Sequence, residues 1–323
     1  MMRDHGGDID RARKLYGGTP EAWLDLSTGI NRAPYPVGDL PASVWTDLPT
    51  KSAMAALVEQ ARISYGASGE VVVCAGAQQA IQMIPWLQAK GRARILSPTY
   101  NEHRACLDHA GWQVEEVRDL QSLAGADLAV VVNPNNPDGQ FHSAQALLDL
   151  LPKVGRLIVD ESFIDPTAAR SIACESHRDG LFVLRSFGKF YGLAGLRLGF
   201  VLCAQGPADD LRRRLGPWPV AGAALHIGKK ALADHIWQAR SANRLKDDVA
   251  RMDAMVPWPV AGGDRLFRLY DCGDAALVQA GLAGSQVWSR IFPWSPSLIR
   301  LGLPGNEGEW QQFRLALDAI ALD

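Results

Sequence analysis

The sequence predicts an α/β fold: a large domain on a mainly parallel seven-stranded sheet, plus a smaller α/β domain. Three observations predict it. Seven short apolar runs between about residues 45 and 205 alternate with helical stretches, the pattern of a parallel sheet covered on both faces. The last run follows the sixth after a short connection, so one strand is expected to run antiparallel. Beyond about residue 206 the texture changes to long helical stretches with a few short strands.

In chain order, residues 1–44 hold a short helix-like stretch, the strand-like WLDLS and a proline-punctuated arm, INRAPYPVGDLP. This segment reads as an arm and part of the smaller domain, lying on another surface rather than folding alone. Residues 45–220 form the large domain. Its strand runs are VVVC (71–74), ARILS (93–97), WQVEEV (112–117), LAVVVN (128–133), RLIVDE (156–161), LFVLRSF (181–187) and GFVLC (199–203), with helices expected over 78–89, 101–110 and 143–152. Residues 221–323 form the smaller domain. Helical stretches at 206–214 and about 222–254 lead to strands LFRLY (266–270) and LIRLGL (298–303), and an amphipathic helix over 307–321 closes the chain.

Composition bounds the function. The 323 residues are 47% apolar and 21% charged, and 33 basic residues nearly balance 35 acidic ones for a net charge of -2. That balance gives no electrostatic reason to expect a nucleic-acid or membrane partner. The five cysteines are scattered with no CxxC pair, which argues against a disulfide framework or metal site and for a reducing cytoplasm. The charged, glycine-containing start shows no signal peptide, and no run is long enough to span a bilayer.

The sharpest question sits in SFGKFYGLAGLRLGF (186–200), which places Lys189 between two buried strands. A buried ammonium is costly unless paired, neutralised or bonded. Asn136 in VVNPNNPDG, Asp160 in IVDESF and Arg197 fall, with Lys189, at predicted strand ends, where ligands bind in open α/β sheets. One chemistry uses all four. Pyridoxal phosphate binds a lysine covalently, needs a carboxylate to keep its pyridine nitrogen protonated, a donor to its phenolic oxygen, and a cationic phosphate site. Each residue has a plainer reading: Lys189 in a surface loop, Asp160 as a helix cap, NPNNPDG as a turn. The four together outweigh those readings. Cys74 and Cys203, inside strand runs, read as core.

These motifs resemble the fold-type I pyridoxal-phosphate enzymes of the aspartate aminotransferase superfamily, over nearly the whole chain. Within it they are most similar to the histidinol-phosphate aminotransferase branch. HGGDIDRARKLYGG (5–18), LDLSTGIN (24–31) and the phenylalanine of VDESF resemble, closer still, the threonine-phosphate decarboxylases of cobalamin biosynthesis. The resemblance implies that Lys189 is the Schiff-base lysine, Asp160 the partner of the pyridine nitrogen and Asn136 the donor to the phenolic oxygen. Ser186, Arg197 and the amides of Ala77 and Gln78 in AGAQQA (75–80) would hold the phosphate. Tyr100 in SPTYNEH would stack on the ring, with a core aromatic as its plainer reading. Arg300 in SLIRLGL would bind the substrate carboxylate, with a structural ion pair as its competitor. Asn31, His5 and Arg32 are the arm's candidates for the substrate and its phosphate.

The implied reaction is decarboxylation of L-threonine O-3-phosphate by a cytoplasmic homodimer. An aminotransferase for histidinol phosphate or an aromatic amino acid is the alternative. A cofactor-sensing domain of a regulator is disfavoured, because no basic helix-turn-helix is visible. Two departures from the aminotransferase pattern stand out. Phe163 replaces a tyrosine that also donates to the phenolic oxygen. Leu48 in TDLPTKSA (46–53) replaces a tyrosine that reaches the partner subunit's phosphate.

Overall fold

The structure, a computed structural model, describes residues 5–320. The chain forms two compact units. One comprises Tyr35–Asn136 and Gln140–Gln238, and the other the chain up to Pro34, Pro137–Gly139 and the chain from Ala239.

The first unit is built on seven strands: β1 (Glu70–Cys74), β2 (Arg92–Leu96), β3 (Gln113–Val117), β4 (Leu128–Val132), β5 (Leu157–Asp160), β6 (Leu181–Ser186) and β7 (Gly199–Cys203). They stand in the order β1-β7-β6-β5-β4-β2-β3. β7 runs antiparallel to both β1 and β6, and the other pairings are parallel. Parallel strands covered on both faces read as continuous apolar runs, and β4 and β7 are buried at every residue. Val130, Val159 and Val183 form the sheet's centre at full burial.

The helical region expected over about 222–254 is two helices, Gly222–Ala233 and His235–Met255. Asp234 leaves helical geometry with ψ 74°, and its carboxylate accepts from the Trp237 amide at 2.9 Å. It thus ends one helix and caps the next, a natural role for aspartate. Helix Lys51–Tyr65 begins at a Thr50 cap and ends at Gly66, whose φ of +60° suits glycine.

The second unit holds a four-stranded antiparallel sheet of Arg290–Phe292, Ser295–Gly302, Phe267–Asp271 and Val260–Asp264, in that order. A short parallel pair joins Leu24–Asp25 to Val287–Trp288. Ala12, Trp23, Ala283 and Trp288 pack together beside it. The closing helix is Glu307–Ile320. Among the described residues, no helix is long and apolar enough to cross a membrane.

Candidate functional site

Asp160 ends β5 at 2% exposure. His103 Nε2 lies 2.8 Å from its Oδ2, and a carboxylate acceptor requires that nitrogen to carry the proton. Oδ1 accepts from the Ser162 hydroxyl at 2.5 Å and the Ser162 amide at 3.0 Å. Burial alone would raise the pKa of Asp160, but His103 first and then both Ser162 donors outweigh it, so the group stays below the usual carboxylate range.

β6 ends at Ser186, which opens the single helical turn Phe187–Phe190 that carries Lys189. A side chain at Gly188 would come within 2.9 Å of the Ala194 backbone, so glycine lets this turn close. The turn rests on aromatic rings: Phe187 stacks on Tyr191 at 4.2 Å, and Tyr191 on Trp237 at 5.6 Å. Lys189 Nζ lies 5.6 Å from the centre of the Phe163 ring. Arg197 has left-handed backbone, φ 52°, an uncommon conformation for a residue with a side chain.

β4 leads to Asn136, and β2 to Tyr100. Asn135 braces the two turns, accepting from the Thr99 hydroxyl at 2.6 Å and donating to the Pro98 carbonyl at 2.9 Å. The Tyr100 hydroxyl donates to Gln78 Oε1 at 3.3 Å. Burial first, then the nearby carboxylate of Glu102, pushes the Tyr100 phenol up to about 12, so it stays neutral.

All eight residues expected at the cofactor line one pocket: Ala77, Gln78, Tyr100, Asn136, Asp160, Ser186, Lys189 and Arg197. Its lining fits pyridoxal phosphate: a buried carboxylate, Asp160, and an amine, Lys189, share it with the cationic Arg197. Beside Arg197 there is room because residue 76 is glycine: a Cβ there would sit 2.7 Å from Arg197 Nη2 and fill the space beside the guanidinium. Among the described residues, no cluster of acidic, histidine or cysteine side chains could hold a metal ion.

Sequence reasoning missed three residues. His103 lies three residues after Tyr100, one helical turn on, but its contact with Asp160 spans 57 positions. Ser162 follows Asp160 by two, a spacing that allows side-chain capping of a turn. Arg290 sits directly across the antiparallel ladder from Arg300.

Arg300 is buried, and its Nη2 donates to the Ser27 carbonyl at 2.6 Å. Burial first, then repulsion by Arg290, pushes its pKa down to about 9, still protonated at neutral pH. Two guanidiniums facing each other across strands are mutually repulsive until an anion joins them. Asn31, also buried, accepts from Arg244 Nη2 at 2.5 Å and from the Ala33 amide at 3.0 Å. Arg32 forks onto Glu309 through two 2.8 Å bonds, which raise its pKa. His5 is exposed. These four expected substrate residues all belong to the second unit.

Residues 47–291 match the family described as Aminotransferase class I and II. A threonine-phosphate decarboxylase of Pseudomonas aeruginosa is 40% identical over 327 residues, covering 98% of this chain and 97% of the relative. A second, from Sinorhizobium sp, is 38% identical over 333 residues with the same coverage of 98% and 97%. Among solved structures, histidinol-phosphate aminotransferase from Sinorhizobium meliloti in complex with pyridoxal-5'-phosphate superposes with a TM-score of 0.76. That match has 20% identity and covers 97% of this chain and 94% of the other.

Proposed function

This chain belongs to the aminotransferase class I and II family, and we propose that it decarboxylates L-threonine O-3-phosphate to (R)-1-amino-2-propanol O-2-phosphate, a step of cobalamin biosynthesis. The observation that carries the reading is its near end-to-end similarity to two threonine-phosphate decarboxylases. The pocket geometry supports it.

Bound pyridoxal phosphate supplies an electron sink for the bond broken at the substrate's α-carbon. The protein's own groups choose which bond breaks and where the proton goes. Asp160 would hold a proton on the ring nitrogen. Asn136 would donate to the phenolic oxygen, and Tyr100 would stack on the ring. Ser186, Arg197 and the amides of Ala77 and Gln78 would hold the phosphate. Arg300 is the candidate for the substrate carboxylate, whose orientation selects the bond to be cleaved. Arg290 adds a second cation for the doubly anionic substrate. His5, Asn31 and Arg32 remain the arm's candidates near the substrate phosphate.

Carbon dioxide departs without the bonding pair, and a proton must reach the α-carbon in its place. Lys189 Nζ is the donor. The Phe163 ring lines the same pocket, with its centre 5.6 Å from Nζ. The test is a reaction in deuterium oxide followed by NMR. One deuterium at C1 of the aminopropanol phosphate supports the reading. An amino group transferred to a keto acid, with no amine phosphate formed, makes the chain an aminotransferase.

We further propose a cytoplasmic homodimer. Trp218, 54% exposed, lines an apolar groove with Met54 and Val58. Trp45 and Leu48 lie exposed just before the helix that bears those two residues. The five cysteines are free thiols, as a reducing compartment keeps them. Light scattering should give about twice the 35.1 kDa of one chain; a monomer would contradict the dimer.

A further inference from the structure

We propose that the Ser162 hydroxyl is a positioning group for this reaction, holding Asp160 as an anion and so setting the lowest pH at which the cofactor binds well. The proposal rests on the pyridoxal-phosphate reading above.

Three donors converge on the Asp160 carboxylate: His103 Nε2 on one oxygen, and the amide and hydroxyl of Ser162 on the other. The hydroxyl makes the shortest of these contacts, at 2.5 Å, and Ser162 lines the same pocket as Asp160. A plainer role would be to close the turn after β5. The Ser162 amide already does so at 3.0 Å, and any residue at 162 except proline would supply it. The hydroxyl is therefore redundant for the turn. It adds a second donor to an oxygen that already has one, and its effect falls on the charge. Hydrogen bonds to an ionised acceptor are the strong ones.

The other charged or titratable groups around Asp160 are held by other elements. His103 comes from helix Glu102–His109 and Tyr100 from the turn before it. Lys189 and Arg197 line the pocket from the connection between β6 and β7. Glu161, the next residue, is engaged with Arg185, Ser171 and the Ile172 amide. Replacing Ser162 by alanine leaves all of these in place. With one donor gone, burial of Asp160 is less opposed and its proton is held to higher pH. A protonated Asp160 no longer presents an anion to the cofactor's ring nitrogen.

The experiment measures pyridoxal phosphate affinity by equilibrium dialysis from about pH 3 to 8, a range that includes the depressed Asp160 titration, for wild type, Ser162→Ala and Ser162→Thr. The covalent bond to Lys189 has its own pH dependence, common to all three proteins, so their differences report position 162. For alanine, the fall in affinity on acidification should begin about one unit higher. That is roughly tenfold weaker binding on the acid side, with affinity at about pH 8 nearly unchanged. Threonine, which keeps the hydroxyl, should follow wild type. An alanine curve that coincides with wild type, or that drops equally at every pH, overturns the proposal. Wild type that binds no pyridoxal phosphate at all overturns instead the reading on which it rests.

Discussion

Asp160 and Glu161 are chain neighbours, both fully buried, and their acidities move in opposite directions. Asp160 has no arginine bonded to it. Neutral donors from Ser162 and the ring of His103 hold it below the usual range. Glu161 has Arg185 Nη1 at 3.3 Å, the Ser171 hydroxyl at 2.5 Å and the Ile172 amide at 2.8 Å, yet its pKa is raised. Burial is the largest cause, and Asp165 adds repulsion, because it leans on the same guanidinium. One cation shared by two buried carboxylates does not keep both ionised at their ordinary pKa. The contrast separates two uses of a buried acid. At Asp160 the strand end presents an anion to the pocket, available to a cationic ring. At Glu161 and Asp165 the charge is spent on Arg185, which ties the turn after β5 to the residue just before Ser186.

Substitutions can break that contrast, beginning with the largest effect. Asp160→Asn should lower decarboxylation by about a thousandfold, the loss expected when one partner of a buried charge pair is truncated. Glu161→Gln should leave turnover per folded molecule within a few-fold. Steady-state kinetics on both decides whether the two carboxylates differ in role; equal losses would erase the distinction. Arg185→Met should instead act on stability, by about 3–5 kcal/mol, because it strands two buried acids. The measurement is denaturant unfolding, and an unchanged midpoint would contradict it.

The pH dependence has opposite signs at the two positions. The stabilisation from Asp160, whose folded pKa is depressed, is complete above the ordinary aspartate value of about 3.9 and is lost as pH falls through the folded one. That from Glu161, whose folded pKa is raised, is complete below about 4.3 and declines as pH rises through the folded one. Wild type should therefore gain stability relative to Glu161→Gln as pH drops from about 7 to about 4.3. A flat difference would show that Glu161 is not shifted upward.

Two smaller effects sharpen the picture of the pocket. Phe163→Tyr should place a donor near the phenolic oxygen and lower the pH at which bound-cofactor absorbance titrates, by about one unit. An unmoved midpoint would deny the hydroxyl that role. Arg32→Ala should raise the substrate KM a few-fold with kcat little changed. An unaltered KM would leave Arg32 only its ion pair with Glu309.

Much of this was legible in the sequence because buried parallel strands announce themselves as apolar runs. The run LAVVVN became β4, and the short link after LFVLRSF marked β7 as antiparallel. Lys189, Asp160, Asn136 and Arg197 were legible because each stands at or shortly after the end of an apolar strand run. The break at Asp234 was hidden inside helical periodicity, since one aspartate both stops and restarts the helix. The strand VAGGD (260–264) carries two glycines and little apolar signal. His103 and Arg290 depend on tertiary pairing. The facing of Arg290 and Arg300 follows from a ladder whose register shifts at Ile291/Phe292, which no local pattern encodes.

The most direct test loads the protein with pyridoxal phosphate, adds L-threonine O-3-phosphate without any keto acid, and measures carbon dioxide. The expected result is catalytic release, abolished in Lys189→Ala. No release, with amino transfer once 2-oxoglutarate and other amino donors are supplied, would contradict the decarboxylase and leave Phe163 as a mark of lineage only.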